Sequence, residues 1–590
     1  MKNIVYILVD AFYSEALRDE NLINKMPYFN SLMENSYYFN NVFSLAPYTE
    51  AALISTLGGE RTLENGEYFN ALNNCDNFLF EYLNKNGYYV YSTFAPYLQP
   101  SSFIRGVNDY VYVRPFNFKN LLLYRINYMS DKHKKTALSL LEKNKLYMII
   151  HDSIQTALDF YTNIFNSKEN IKLIEGYIED VDIADIIKKI AYELKKLEEN
   201  RDCYIEDLLN KKEKHSLFQI ELAEFKFKNS KTKTQYINPN IEINFQNESN
   251  RINKIVKKNK KINYFQLNSI FLNNSNINAL SKVKTYLNTY KKSKTTNSFS
   301  EFGYNFGKVT LSAKTVFDFM EEKIIQLEKK EKNYCAYIHI EDFHSPSSFI
   351  SYDSDDIETI NEEIEDAIKF MKTVDDNYSK NIVSDLSLHY IDKKINNFIN
   401  KLSKNLEKET VFVITGDHGY SFSYNPIRES TVNNFYKENY HVPLFIFENS
   451  QSCKMENSRL FNTFDINSTI LPILGIKNHP FSGMNMLSST KGREMCLIEY
   501  LGPGCPDILN KDIFYSAFDE DYKVGVKIKL NDNDIFENIV DIYDLKNDPN
   551  ELYNKKYRKK KLKSKIYKYV LEINKRHKYL QEKILFKEKK

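Results

Sequence analysis

The chain opens on an unbroken apolar run, Asn3-Ile-Val-Tyr-Ile-Leu-Val-Asp10, that ends in a carboxylate. A run this short, with neither a helical nor an alternating period, predicts a strand buried on both faces. Such a strand delivers Asp10 to its C-terminal edge, where open α/β sheets hold their ligands. Residues 27–39 and 50–58 carry helical spacing, and Phe78 to Tyr91 reads as helix, an Asn86-Gly87 stop, then strand. The same α/β rhythm returns later. A helix from Ser312 to Lys330 precedes an apolar strand, Tyr334 to Ile340, and a helix over 385–405 precedes the strand Thr410-Val-Phe-Val-Ile-Thr415. A further strand, Val442-Pro-Leu-Phe-Ile-Phe447, leads to a helix over 465–474. Beyond about 493 the runs are short and strand-like: Met495–Tyr500, Ile513–Ala517, Tyr522–Leu530 and Ile539–Tyr543. The last segment is a basic helix with apolar residues at Leu562, Ile566, Tyr569/Val570, Ile573, Leu580 and Ile584, a 3-4 spacing.

Between these blocks the character changes. From 116 to 305, Lys- and Asn-rich helical patches (171–215) alternate with polar stretches of low hydrophobicity (228–262, 287–300), without an internal repeat. The organisation expected is an α/β unit in two parts, 1–115 and 306–490, interrupted by a mainly helical insertion at 116–305. A small sheet subdomain at 491–555 and a basic helix at 556–590 follow.

Composition refines this picture in three places. Of 590 residues, 42% are hydrophobic and 27% charged, which supports a sizeable core and excludes general disorder. No apolar stretch approaches the length of a membrane span, and the first run is too short for a signal-peptide core, so a cytoplasmic setting is expected. The 6 cysteines lack any C-x-x-C pair, against a zinc ribbon or a disulfide scaffold. The net charge of +3 conceals a division: residues 555–590 carry +13 and the rest −10. An acidic body with a basic tail is not the footprint of a nucleic-acid binder. The tail admits peripheral contact with an anionic membrane surface, or packing of its apolar stripe on the enzyme body.

The residues able to carry chemistry lie at the strand ends. Asp10 ends the first strand, Asp417 and His418 follow a later strand in Thr-Gly-Asp-His-Gly, and Thr49 sits where a loop enters a helix. If those two strands are parallel neighbours, two carboxylates and an imidazole converge as ligands for Mn²⁺, Zn²⁺ or Mg²⁺. A hydroxyl beside that ion, at a helix N-terminus, is a competent nucleophile. The plainer readings are a turn-forming Asp10 and an N-capping Thr49. The glycines around Asp417-His418 let backbone crowd a ligand. His344 and His441 stand next to strands on the same sheet edge, whereas His339 alternates inside its strand and reads as core or supporting.

These residues sit in motifs that resemble the sulfatase-like branch of the alkaline phosphatase superfamily. The resemblance runs in order through Asn3–Asp10, Met26-Pro-Tyr-Phe-Asn-Ser-Leu, Val42-Phe-Ser-Leu-Ala-Pro-Tyr-Thr49, Tyr334–Pro346 and Gly416-Asp-His-Gly. It continues through His441-Val-Pro-Leu, Phe464–Gly475 and Ile542-Tyr-Asp-Leu-Lys-Asn-Asp-Pro-Asn-Glu-Leu552. The resemblance implies an alkaline phosphatase/sulfatase-like α/β sandwich with a smaller C-terminal sheet domain. It also implies a divalent metal ion (Mn, Zn, Mg or Ca) on Asp10, Thr49, Asp417 and His418. Thr49 would be the nucleophile, His344 a catalytic and substrate-binding residue, and His441 a further substrate contact.

The chain also departs from the family. True sulfatases carry a Cys or Ser that is oxidised to formylglycine, followed by an Arg; here the stretch is Thr49-Glu-Ala-Ala-Leu53. The usual paired Asp of the first strand is Asp10-Ala11, and the Gly-Lys-Trp-His element has no counterpart. A Thr nucleophile is similar instead to lipoteichoic acid synthases and phosphoethanolamine transferases, which pass through a phospho-threonine. The expectation is hydrolysis or transfer of a phosphate or sulfate ester on a small-molecule or glycan substrate, phosphoryl chemistry favoured. The alternative is a non-catalytic binding protein on the same fold.

Overall fold

The structure is a computed structural model. It describes residues 1–66, 75–94, 105–113, 136–166, 182–210, 214–220, 238–259, 310–344, 356–378, 381–420, 435–450, 454–502 and 511–585, with a few short pieces between them. The strands of its first half are β1 (Asn3–Val9), β2 (Tyr37–Phe43), β3 (Tyr89–Phe94), β4 (Asp109–Tyr112), β5 (Ile174–Glu175) and β6 (Lys226–Phe227). Then come β7 (Tyr334–Ile340), β8 (Thr410–Gly416), β9 (His441–Glu448), β10 (Met455–Asn457) and β11 (Phe461–Asn462). The last four are β12 (Cys496–Leu501), β13 (Asp512–Phe518), β14 (Tyr522–Lys529) and β15 (Ile539–Asp544).

A large mixed sheet has the order β10-β2-β9-β8-β1-β7-β3-β4, with β11 beside β2. The block β8-β1-β7-β3-β4 is parallel. β9 runs antiparallel between β8 and β2. Every residue of β1, β7 and β8 is buried, which is what their unbroken apolar runs require of strands covered on both faces. The order is that of a sheet built by crossovers, with the first strand at its centre.

The helices used below are α1 (Pro27–Asn35), α2 (Thr49–Gly58), α3 (Leu79–Lys85), α4 (Leu140–Asn166), α5 (Ile183–Glu199), α6 (Arg201–Asn210) and α7 (Pro239–Asn259). The remainder are α8 (Ala313–Lys329), α9 (Ile357–Lys372), α10 (Ile382–Ser403), α11 (Ile466–Ile473) and α12 (Lys559–Leu585). α8 packs on β7 and α10, and α10 on α1. The helix expected over 27–39 stops at Asn35, and Tyr37–Phe43 is a strand instead. Its aromatic and β-branched residues suit a pleated surface, and pairing with β9 outweighs the helical spacing.

The segment 116–305 is mainly helical where it is described, with β5 and β6 as a short antiparallel pair. α4 packs against α5 and α6, and α7 packs against α9. α7 lies inside a stretch that reads as polar, yet it buries Ile241, Phe245, Ile252 and Ile255. The polar stretch at 287–300 lies outside the described residues. At the other end, β12 to β15 form an antiparallel sheet in sequence order. α12 lies across β13 and β14 and buries Ile566, Tyr569, Ile573 and Leu580. Each of these contributes about 2 kcal/mol by leaving water. Packing on the body, one of the two readings of the tail, is thus realised by this stripe. Among the described residues, no helix is long and apolar enough to cross a membrane.

Candidate active site

Strand register assembles the site. Val9 pairs with Gly416 on one side and Ile340 on the other, so β8, β1 and β7 end level. Asp10 and Asp417 therefore leave adjacent strand ends at the same height. Leu8 pairs with His339, and residues paired across parallel strands face the same way. Asp10, two positions beyond Leu8, shares that face, so the in-strand His339 meets it. His339 Nε2 lies 3.5 Å from Asp10 Oδ2.

Around this edge, His418 Nε2 lies 3.5 Å from Asp10 Oδ1 and 3.6 Å from Asp417 Oδ2. The Thr49 hydroxyl is 3.3 Å from the same nitrogen. The other ring nitrogen, Nδ1, is 2.7 Å from the Gly419 carbonyl. A carbonyl only accepts, so Nδ1 carries a proton, and Nε2 faces the two carboxylates and Thr49. Thr49 is the first residue of α2; the N-cap is Tyr48, whose side chain makes no capping bond. Thr49 is therefore not the N-cap of its helix, and its hydroxyl faces His418.

Backbone geometry holds the carboxylates. Asp417 Oδ1 accepts from the N–H groups of Ala11 (3.1 Å) and His418 (2.8 Å), leaving Oδ2 for the site. Ala11 reaches that bond at φ 63, a left-handed conformation that an alanine adopts only under strain. The glycines that bracket Asp417-His418 are pressed against other backbone of the chain. A Cβ on Gly416 would lie 2.4 Å from the Phe12 carbonyl oxygen, and one on Gly419 would lie 1.9 Å from that of Glu438.

The electrostatics are those of a cluster with donors to spare. Burial alone raises a carboxyl, but the neighbouring imidazoles of His344, His339 and His418 hold Asp10 well below the ordinary range. Asp417 is raised, by burial first and by the charge of Asp10 beside it. Burial depresses His339, and Asp10 more than reverses this, so its pKa is raised. Asp10 Oδ1, Asp417 Oδ2 and His339 Nε2 are buried with no hydrogen-bond partner. Three orphaned donors in one spot are what a cation site presents before the cation is counted. Two sets of ligand atoms lie within 4.8 Å of one another: Asp10, His339 and Asp417, and Asp10, His344 and His418. Carboxylate oxygens with imidazole nitrogens fit a divalent transition ion.

The structure brings together Asp10, Thr49, Asp417, His418 and His344 from the sequence reading. The ring of half-buried His344 centres 6.2 Å from that of His418 and 6.1 Å from that of Tyr420. His441 is not brought to this group. Its Nδ1 is 2.6 Å from Glu15 Oε1 and its Nε2 2.8 Å from the Asn40 carbonyl, and its ring stacks on Phe43. Both nitrogens are engaged within the protein, and the residue borders a cavity of about 240 Å³. His339 is the residue that sequence reasoning placed outside the site. The signal was its parity with Asp10, visible only once β1 and β7 are known to pair.

Residues 227–476 match the family described as Sulfatase. That match spans less than half of the chain. The sulfatase match contains His339, His344, Asp417, His418 and His441, whereas Asp10 and Thr49 precede it. It begins inside the segment that composition sets apart at 116–305. The likeness read from the motifs is thereby met by an independent comparison. Among solved structures, the chain aligns with a phosphonate monoester hydrolase from Silicibacter pomeroyi at 10% identity and a TM-score of 0.49, over 98% of this chain and 96% of that one. A protein in complex with its substrate D-glucosamine-2-N,6-O-disulfate aligns at 11% and 0.46, over 99% and 98%. An alkaline phosphatase superfamily protein from Vibrio parahaemolyticus aligns at 11% and 0.42, over 96% and 87%. A comparison with curated protein sequences returns no match.

Proposed function

We propose that this chain is a metal-dependent enzyme that hydrolyses or transfers a phosphate or sulfate ester through Thr49, with phosphoryl chemistry favoured. The observation that carries the reading is the Thr49 hydroxyl, 3.3 Å from His418 Nε2 at the first position of a helix and beside three orphaned buried donors. Asp10, Asp417, His418 and His339 would hold the ion, with His344 at the rim. The mixture of carboxylates and imidazoles favours Mn²⁺ or Zn²⁺ over the oxygen-seeking Mg²⁺ and Ca²⁺. When bound, such an ion lowers the pKa of a neighbouring hydroxyl and neutralises charge on the transferring group.

The residues of this chain then divide the work. Thr49 releases its hydroxyl proton to water and its oxygen attacks the ester's phosphorus in line; the Oγ1–P bond forms as the bond to the leaving oxygen breaks. The N-terminus of α2, where Thr49 is the first residue, would stabilise the growing negative charge. His344 protonates the departing oxygen. Water or an acceptor alcohol then attacks the phospho-threonine, giving hydrolysis or transfer. Thr49 is no substrate for oxidation to formylglycine, which is why phosphoryl transfer is preferred to sulfuryl transfer.

The test is turnover of an aryl phosphate monoester, a phosphodiester and a sulfate ester by purified protein with Mn²⁺, Zn²⁺ or Mg²⁺, beside Thr49→Ala. Thr49-dependent release from a phosphate ester is expected. Turnover of the sulfate ester alone would overturn the phosphoryl preference, and full activity of Thr49→Ala would overturn the nucleophile.

A further inference from the structure

The terminal helix has two faces, and only one is used by the fold. Ile566, Tyr569, Ile573, His577 and Leu580 are buried against the small sheet. On the opposite side, at the same 3-4 spacing, run Lys560, Ser564, Tyr567, Leu571, Lys575 and Lys578, all exposed. Tyr567 is 58% exposed and Leu571 37%, one turn apart at the centre of this face. The approach to the helix continues the pattern, with Leu552, Tyr553 and Tyr557 at 44%, 49% and 51% exposed. Half of the large hydrophobic side chains exposed among the described residues thus fall within 552–579.

The charge around them is of one sign. Residues 555–568 contain 9 Lys or Arg and no Asp or Glu. Lys555, Lys559 and Lys568 pair with Asp544, Glu537 and Asp519. Arg558, Lys560, Lys561, Lys563 and Lys565 make no ion pair among the described residues. These unneutralised cations crowd the N-terminal half of a helix, where the macrodipole already places positive charge. Mutual repulsion and the dipole both oppose that arrangement, and a negatively charged partner relieves both.

We propose that this outer face docks on an anionic lipid surface. A 27-residue helix is about 40 Å long and presents one continuous stripe to solvent, which suits an extended surface. Lysines supply attraction to anionic headgroups, while Tyr553, Tyr557 and Tyr567 have the amphipathic rings that settle at the headgroup level. Leu552 and Leu571 gain by entering the acyl boundary, a gain that a phosphodiester backbone does not offer. The inward stripe fastens the helix to the protein and the outward face fastens the protein to the membrane. The two readings of the tail are therefore compatible, because they use opposite sides of one helix. This inference is independent of the role given to Thr49.

The experiment is sedimentation of the full chain with vesicles of phosphatidylcholine alone or with about 30% phosphatidylglycerol, at about 0.1 and 0.5 M salt. Binding is expected to the anionic vesicles only, and to weaken in high salt. Lys560→Glu/Lys561→Glu/Lys565→Glu should lower it at least about tenfold. Tyr567→Ser/Leu571→Ser should lower what remains at high salt. These side chains are exposed, so both variants should melt at the parent temperature, which separates lost docking from lost folding. Equal partition onto neutral vesicles, no sedimentation with either, or undiminished binding by the triple variant would overturn the proposal. So would binding of a duplex oligonucleotide by a protein that ignores the vesicles.

Discussion

Thr49 owes its standing to two neighbours rather than to its own chemistry. Tyr48 takes the capping position and His418 Nε2 lies 3.3 Å from the hydroxyl, so a residue type common at helix starts faces the site instead. Thr49→Ala should lower turnover of a phosphate ester by at least about 10³-fold while the melting temperature holds, whereas Thr49→Ser should keep a measurable rate. His339 makes the complementary case. The purified His339→Ala protein should retain less divalent metal by elemental analysis, because one of three orphaned donors is gone. Away from the site, the buried Glu15 is paired with His441. Burial opposes its ionisation, but His441 and Lys437 outweigh it, and its carboxyl sits at about 2 instead of 4.5. The unfolded chain therefore binds the extra proton first as pH falls. The Glu15 contribution is present above about pH 4.5 and is lost progressively toward pH 2. Glu15→Gln should lower stability at neutral pH and flatten the acid limb of the denaturation curve in that window. A limb as steep as the parent's would refute the assignment. Asp10, Asp417 and His418 were legible in the sequence because each sits at or just beyond the end of an apolar run. His339 and Glu15 were not, since both depend on which strand or helix lies across from them.

At the scale of elements, the loop between β8 and the following chain is held by close backbone approach. Gly419 leaves no room for a side chain, because the obstructing atom is the Glu438 carbonyl and not a flexible tip. Gly419→Ala should destabilise by more than about 2 kcal/mol in urea unfolding and should disturb the His418–Gly419 bond, lowering activity further than stability alone explains. β12 does comparable work for the nucleophile's loop. Its Leu501 carbonyl accepts from the Tyr48 hydroxyl at 2.6 Å, and its Glu499 N–H donates to the Leu45 carbonyl at 3.2 Å. The Glu499 carboxylate is in turn gripped by the Arg576 guanidinium of α12 through two bonds of 2.6 Å, and Arg576 also reaches Glu64 at 2.9 Å. Removing one partner from a buried pair strands the other. Arg576→Ala should therefore cost about 3–5 kcal/mol, and Arg576→Ala/Glu499→Gln should recover part of it; equal losses would show that the pair is not the source. Most elements were legible from apolar runs and turn residues. β2 was not, because its aromatic sequence continues a helical spacing until β9 is present to pair with it.

For the whole molecule, the small sheet and α12 act as one body. Deleting residues 555–590 would expose the side of β13 and β14 that Ile566, Tyr569, Ile573 and Leu580 cover, at about 2 kcal/mol each, and would break the Arg576 clamp. The truncated chain should express as aggregate or melt well below the parent, and a soluble truncation with an unchanged melting curve would refute that view. The sequence by itself determined which strands are buried on both faces, that the tail is an amphipathic basic helix, and that two carboxylates and an imidazole stand at strand ends. Those properties follow from local periodicity and from the residues at the end of a run, and neighbours along the chain are enough to set them. Only the tertiary structure decided that β1 lies between β8 and β7 in a register that levels their ends, that His339 shares a face with Asp10, and that His441 is spent on Glu15 and Asn40. It also decided that α12 buries one face and leaves a lysine-ringed apolar face to solvent. Strand order and register join residues more than 300 positions apart, and a one-residue slip would turn every side chain of a strand to the opposite face. Packing fixes that choice through the summed burial of the whole sheet, a quantity that no single segment carries.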